Sequence, residues 1–290
     1  RALTCLEAAV CAGDDVNVND DGRLTGSGFV HANDNTWGGG GASFDLDAHA
    51  VGTTHGGDYN GDEFRGVAAR ELPGDHVFDW YLKVGAEIKL SDLSNIFGTR
   101  YMQWDFFSRQ VNTHGSPNPR GVYWIDCGGQ NVRIKWGRQL GTLVLLDVGP
   151  DSRVEDVCVL QAEAQNYPVL LVQGDIDIDL RSSLTGQEMR EASVTNYNPP
   201  GVPYNGVSDN DKKDDYPARL DGIVYATGRI TFTDDSEVHG AIVAGGVVAV
   251  AANDELRIEY RPYAFDYPPP GFSAGHGARM LPGTLRRVGM

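Results

Sequence analysis

The chain has 290 residues, with 24 Lys and Arg against 40 Asp and Glu, for a formal net charge of −16. That balance argues against nucleic acid and anionic membrane surfaces as partners, because both are held by Lys and Arg. Apolar residues make up 41% of the chain, a globular composition, and no apolar run reaches the ~20 residues of a membrane span.

The chain opens at Arg1 without an initiator Met, so a processed or trimmed form is expected. Four cysteines, Cys5, Cys11, Cys127 and Cys158, contain no CxxC pair, which argues against zinc. Three disulfide pairings are open. The favoured set is Cys5 with Cys11 and Cys127 with Cys158, the latter on adjacent coils, in an oxidising compartment. Four free buried thiols are the alternative.

Residues 10–26 (VCAGDDVNVNDDGRLTG) align with residues 224–240 (VYATGRITFTDDSEVHG). Val10 falls on Val224, Val16 on Ile230, Val18 on Phe232, Leu24 on Val238 and Gly26 on Gly240. A repeat of this size near both ends predicts stacked coils sharing one core. It also settles how Asp15, Asn17, Asn19 and Asp21 before Gly22 are read. The string has the texture of a calcium loop, but the aligned copy makes it a strand with polar residues outward and a turn at Asp20-Asp21.

The GGGG run at 38–41 reads as a loop, and His49 and His55 as surface histidines. Asp58, Asn60 and Asp62 in GGDYNGDEF are candidate calcium ligands, being alternating oxygen donors in a loop. No cofactor beyond calcium is expected. After Pro73-Gly74, DHVFDWYLKVG predicts a helix with Asp75 as N-cap and Gly85 as its stop. Val77, Phe78, Tyr81 and Leu82 share one face. The whole excursion, 72–98, would cover the side or open end of the coils, with a second short helix around Leu90–Phe97. Trp104, Phe106 and Phe107 in YMQWDFF read as core in preference to a carbohydrate platform.

From residue 120 onward short β-branched runs dominate, among them TLVLLDV at 142–148, PVLLV at 168–172 and AIVAGGVVAVA at 241–251. Gly128-Gly129 and Gly245-Gly246 read as tight corners. Asp175, Asp177 and Asp179 alternate with Ile176, Ile178 and Leu180. They share one face of a strand, read as solvated in preference to cation-binding or catalytic. Residues 181–219 form a long polar loop, an excursion from the coils. The 18-residue spacing of Ile230 to Val248 and Phe232 to Val250 suits a coil. The expected fold is therefore all-β, a right-handed parallel β-helix forming one domain over 1–290, with a β-sandwich as the alternative.

Several landmarks carry a resemblance: HAN at 31–33, LPGDHVFDWYL at 72–82, GIVYATGRITFTDDSEVHGAIVAGG at 222–246, YPPPGF at 267–272 and PGTLRRV at 282–288. Together they resemble the extracellular part of prepilin-like bacterial proteins akin to PilX-type pilus-assembly proteins. The Gly-Val repeat texture is similar to that of the polymer-forming bactofilins. The resemblance implies a repetitive β-solenoid without catalytic residues.

No GxSxG elbow, HExxH motif or phosphate loop is present, so an enzyme is not expected. The expected function is structural: a self-associating filament or appendage subunit at the bacterial surface or outside the cell. A surface adhesin binding polysaccharide is the second reading. A polysaccharide lyase or hydrolase on the same fold is the third.

Overall fold

The computed structural model describes residues 4–164, 166–181, 184, 186–191 and 195–272; the PGTLRRV segment lies outside them. Strands dominate, in a 17-stranded sheet, a 10-stranded sheet and a two-stranded antiparallel hairpin. Pairing in the two large sheets is parallel except where Ser94–Ile96 meets Thr99–Gln103. A β-sandwich is built from antiparallel pairs, so that alternative is set aside.

The strands form three ladders, and each circuit of the chain adds one strand to each. Val122–Asp126, Val132–Lys135 and Arg138–Leu140 make one circuit, followed by Thr142–Leu146, Arg153–Asp156 and Val159–Gln161. The two stack strand for strand, with Val122 on Thr142, Arg133 on Arg153 and Arg138 on Val159. The first and third ladders count as one sheet because Arg219–Ala226 and Ser236–Ala244 run through both.

Residue pattern explains the difference between ladders. The central first-ladder strands read as nearly unbroken apolar runs, as in Pro168–Val172, because they are buried on both faces, whereas Asp47–Ala50 and Glu63–Arg65 toward one end are not. Leu143, Leu145, Leu170, Val172, Val224 and Ala226 face the shared interior. Val144, Leu171, Ile223, Tyr225 and Val243 face a second apolar layer outside it. Second-ladder strands alternate: Ile176 and Ile178 are buried, while Asp177 and Asp179 between them are half-buried.

The chain enters this stack in its middle. Val10–Ala12 lies between Ile242–Ala244 and Val30–Ala32, and Val16–Val18 lies between Val248–Val250 and Thr36–Gly38. Residues 10–65 carry the stack outward to a terminal strand at Glu63–Arg65. The chain then returns along the outside of the first ladder to Ala86–Glu87 at the far end, and residues 86–260 fill the stack back to the start. The return path is visible in its contacts. The Asn33 side chain bonds the backbone of Arg70, Tyr225 Oη donates to the Pro73 carbonyl, and Val77, Phe78 and Tyr81 join the outer apolar layer.

The aligned repeats stack two tiers apart. Val16, Val248 and Ile230 share a column, as do Val18, Val250 and Phe232. The alignment fails beyond the turn. Leu24 stands on Leu256, which stands on Ser236 and not on Val238, because the corner before Leu24 is two residues longer.

The predicted helix is present as α1 (Val77–Val84), lying over the side of the stack. Its N-cap is His76 and not Asp75; Asp75 instead offers its carbonyl to Phe78 N–H in the entry turn. Gly85 is the stop, its N–H returning to the Tyr81 carbonyl at 2.8 Å. The second helix is reduced to a single tight turn, Leu90–Asp92, and residues 94–103 form a hairpin instead. Gly128 and Gly129 have positive φ, as a tight corner needs. Gly245 serves close packing, since a Cβ there would lie 2.1 Å from the Thr227 carbonyl oxygen.

Candidate functional site

The two ends of the stack expose apolar side chains. At one end the hairpin of Ser94–Ile96 and Thr99–Gln103 turns through Phe97-Gly98, both with positive φ. That mirror-image turn suits hairpin twist, but φ of +51° strains a residue such as Phe97. Phe97 is fully exposed and Ile96 is 43% exposed. At the other end Trp37 stacks on His55 with ring centroids 4.0 Å apart, and Phe64 packs edge-on against His49. Trp37 and Phe64 are 44% and 42% exposed. Beside them Glu63 and Arg65 pair with one another at 2.9 Å and both bond the Thr54 hydroxyl. Charges on a terminal strand discourage indiscriminate edge pairing.

Trp37 also walls a shallow groove with Asp15, Asn17, Asn19 and Gly39. Its polar walls follow from the local fold. Asn17 points outward from Val16–Val18, and Asp15 Oδ1 accepts the backbone N–H of Asn35 at 2.9 Å. The segment is thus a strand and its corner, as the repeat predicted.

The sides carry charge in columns. On the second ladder Arg153 reaches Asp177 and Asp179 at 3.7 and 3.6 Å, and Glu155 takes Arg133 and Lys135. Asp175 sits apart at a corner, its Oδ1 accepting the Arg229 N–H at 2.7 Å. On the third ladder Gln161, Asp221, His239 and Glu259 form one column. His239 lies 3.3 Å from Asp221 and 2.7 Å from Glu237, and Arg219 donates to Asp221 at 2.9 Å. The Asp221 carboxylate 3.3 Å away, with the hydrogen bond to Glu237, lifts His239 above its ordinary pKa despite burial. Burial pushes Asp221 up, but hydrogen bonds and charge from His239 and Arg219 outweigh it and hold the carboxyl low. The column follows from coil spacing: the 18-residue step that links Ile230 to Val248 also links Asp221 to His239.

The described residues of the 181–219 loop dock on the third ladder. Glu188–Arg190 pairs with Asp215–Pro217, and Met189, Tyr197, Val202 and Tyr216 pack on Phe106 and Val159. Arg138, an outward residue of Arg138–Leu140, is covered by the loop. It donates to the Tyr197, Val202 and Pro203 carbonyls and lies under the Phe106 and Tyr204 rings. Burial pushes its pKa down, yet the guanidinium stays charged. Sequence reading missed Arg138, because its partners are carbonyls that leave no composition signal.

Phe106 and Phe107 are buried, and Trp104 rests on Trp136. Asp58, Asn60 and Asp62 occupy the last tiers. Asn60 Nδ2 donates to Asp45 at 2.7 Å and Asp62 N–H to Asp47 at 2.9 Å, so these residues follow the coil register. Among the described residues the one cluster of three metal-binding side chains lies elsewhere, at Glu191, Asp211 and Asp214.

All four cysteines are buried and unbonded. Cys127 follows a first-ladder strand and Cys158 precedes a third-ladder strand, so they occupy different corners. Adjacent circuits repeat every 20 or 21 residues here, and the 127-to-158 separation is one and a half circuits, which overturns their stacking. Cys5 and Cys11 share the outer apolar layer as thiols. Burial pushes Cys5, Cys127 and Cys158 up to about 12 and raises Cys11 as well, so all are poor nucleophiles.

No described helix is long and apolar enough to cross a membrane. Comparisons with family models, curated proteins and solved structures gave no match.

Proposed function

We propose that this chain is a structural, non-catalytic protein of the bacterial surface or extracellular space. It is a right-handed parallel β-helix that associates end to end as a filament or appendage subunit. The observation that carries this reading is the placement of exposed apolar side chains on the terminal strands at opposite ends, Ile96 and Phe97 against Phe64. Different surfaces at two ends make a head-to-tail contact, which grows open filaments when its rotation does not close. The Glu63–Arg65 pair confines that contact by blocking plain strand-to-strand docking. The resemblance of the HAN, LPGDHVFDWYL and YPPPGF segments to PilX-type pilus-assembly proteins agrees with it.

Sedimentation and negative-stain electron microscopy test the reading. The wild type is expected to form concentration-dependent oligomers or fibres, and Phe97→Ser to stay monomeric with an unchanged circular-dichroism spectrum. A wild type that remains a monomer at its solubility limit overturns it, as does a Phe97→Ser variant that assembles equally well.

A second reading, glycan adhesion, is favoured by the groove where the Trp37 ring adjoins Asp15, Asn17 and Asn19. An aromatic face beside hydrogen-bonding side chains fits a sugar ring. Polysaccharide binding that is lost in Trp37→Ala but intact in Phe97→Ser would mark this function and separate it from assembly.

A further inference from the structure

Asp15, Asn17 and Asn19 fall on the outward side of Val16–Val18 and its two corners, while Val16 and Val18 between them are buried. The residues level with Asn17 on neighbouring strands shape the surface there. Ala249 stands on one side, Trp37 on the other, and His55 beyond Trp37. The column thus steps from short side chains up to a tall ring. That step forms a groove of about 390 Å³, walled by Trp37 and lined at one end by Gly38 and Gly39, which add no side chain. Its size lies near the lower end for small-molecule sites and suits a short stretch of sugar chain.

The ring is set in place before any ligand arrives. His55 stacks on it with centroids 4.0 Å apart, yet Trp37 remains 44% exposed. A rigid aromatic already held by a neighbour loses little rotamer freedom on binding.

The polar walls are biased toward acceptors. Asp15 Oδ1 takes the Asn35 N–H at 2.9 Å and Asn35 Nδ2 at 3.3 Å, which orients the carboxylate and leaves Oδ2 without a donor among the described residues. Asn19 Nδ2 donates to the Val250 carbonyl at 2.9 Å, so its Oδ1 is the end left over. Asp15 is the one charged residue in the lining, which holds no Lys or Arg. Asp20 adds a second carboxylate beside Gly39, where a Cβ would lie 2.3 Å from Asp20 Oδ1. An anionic, acceptor-rich groove next to an aromatic ring fits a ligand that is cationic, rich in donors and apolar on one face.

We propose that this groove binds a sugar with a free amino group, an amino-hexose residue of a polysaccharide. The apolar face of the sugar stacks on Trp37, its ammonium pairs with Asp15 Oδ2, and its hydroxyls donate to Asn17 and Asn19. A neutral sugar would cover the ring but leave the carboxylate without a counter-charge, and a uronic acid would meet a like charge. The inference rests on the glycan reading of the groove and adds the class of sugar selected.

Calorimetric titration at about pH 6, where a sugar amine keeps its proton, tests it with three oligosaccharides of equal length. These are a deacetylated chitosan chain, its fully N-acetylated counterpart and a cello-oligosaccharide. The deacetylated chain is expected to bind roughly tenfold tighter than the other two, as one charge-assisted hydrogen bond supplies, and to weaken as salt screens the pair. Asp15→Asn keeps an acceptor for the Asn35 N–H and should remove that preference while the weaker neutral binding stays. Trp37→Ala should abolish binding of all three chains with an unchanged circular-dichroism spectrum. Equal affinity for the three chains overturns the amino-sugar proposal and leaves glycan binding standing. So does a preference that survives Asp15→Asn, which would trace it to the acidic surface at large. Absence of binding by every chain overturns both.

Discussion

His239 shows how one side chain reports on a column of charges. Its folded pKa stands above the ordinary value because Asp221 and Glu237 grip the protonated ring. His114 is raised for a like reason by Asp105. Such groups bind protons more tightly folded than unfolded. Their stabilisation is complete below the unfolded value of about 6.5 and is lost as pH rises through the folded value. His31 works in the opposite sense. Burial lowers it to about 4, so the unfolded chain gains a proton first, and stability falls as pH drops from about 6.5 toward that value. Urea unfolding between pH 5 and 8 should therefore give a maximum near pH 6.5. His239→Gln should flatten the alkaline limb and reduce stability at pH 6 by roughly 1–3 kcal/mol. An unchanged alkaline limb would mean that His239 is not charged in its pocket.

The excursion illustrates what an element owes to one residue beneath it. Arg138 gives three carbonyls of the 197–203 segment their donor, and hydrogen bonds to a charged group contribute about 1.5–3 kcal/mol each. Arg138→Met keeps much of the apolar stem but orphans those carbonyls. It should cost roughly 3–5 kcal/mol, within the range for breaking a buried charged contact. The loss should be local: hydrogen exchange should accelerate over 195–217 while Pro168–Val172 stays protected. Uniform acceleration would show that the excursion and the stack unfold together. Sequence reading placed the excursion between 181 and 219 and the helix that became α1, because polarity and 3.6-residue periodicity are local properties. The short helix expected around Leu90–Phe97 stops at Asp92, because Phe97-Gly98 closes a hairpin that draws Ser94–Ile96 into a strand. Neither the carbonyl cradle of Arg138 nor the meeting of Glu191 with Asp211 and Asp214 was legible, since each depends on how the loop docks. The His239 column was legible in principle, one coil step from Asp221.

At the scale of the molecule the decisive feature is the order in which tiers are assembled. Val10–Ala12 has neighbours on both sides, one of them more than 200 residues later in the chain at Ile242–Ala244. The first tiers therefore cannot complete their inner face until the last strands exist, and such long-range pairing makes folding slow. The sequence repeat predicted a shared stack, since Val16 and Ile230 have the same inward role, but a repeat is blind to which copy stands next to which. The single covalent link between the two halves of the stack is the return segment through the exposed Ala68 and Ala69. Ten first-ladder strands at about 4.8 Å spacing set a span of roughly 43 Å. The segment covers this with the eight residues of α1 rising about 12 Å and extended chain at about 3.3 Å per residue. Lateral pairing, and not this link, should hold the first 65 residues in place. A protease site inserted between Ala68 and Ala69 and cleaved in the folded protein should leave two fragments that co-elute and keep the native circular-dichroism spectrum. They should part only in denaturant, and residues 1–68 expressed alone should be unfolded. Spontaneous separation after cleavage would refute the interleaved order, because a piece that merely caps the stack through one face would have far less to hold it than one paired through all three ladders.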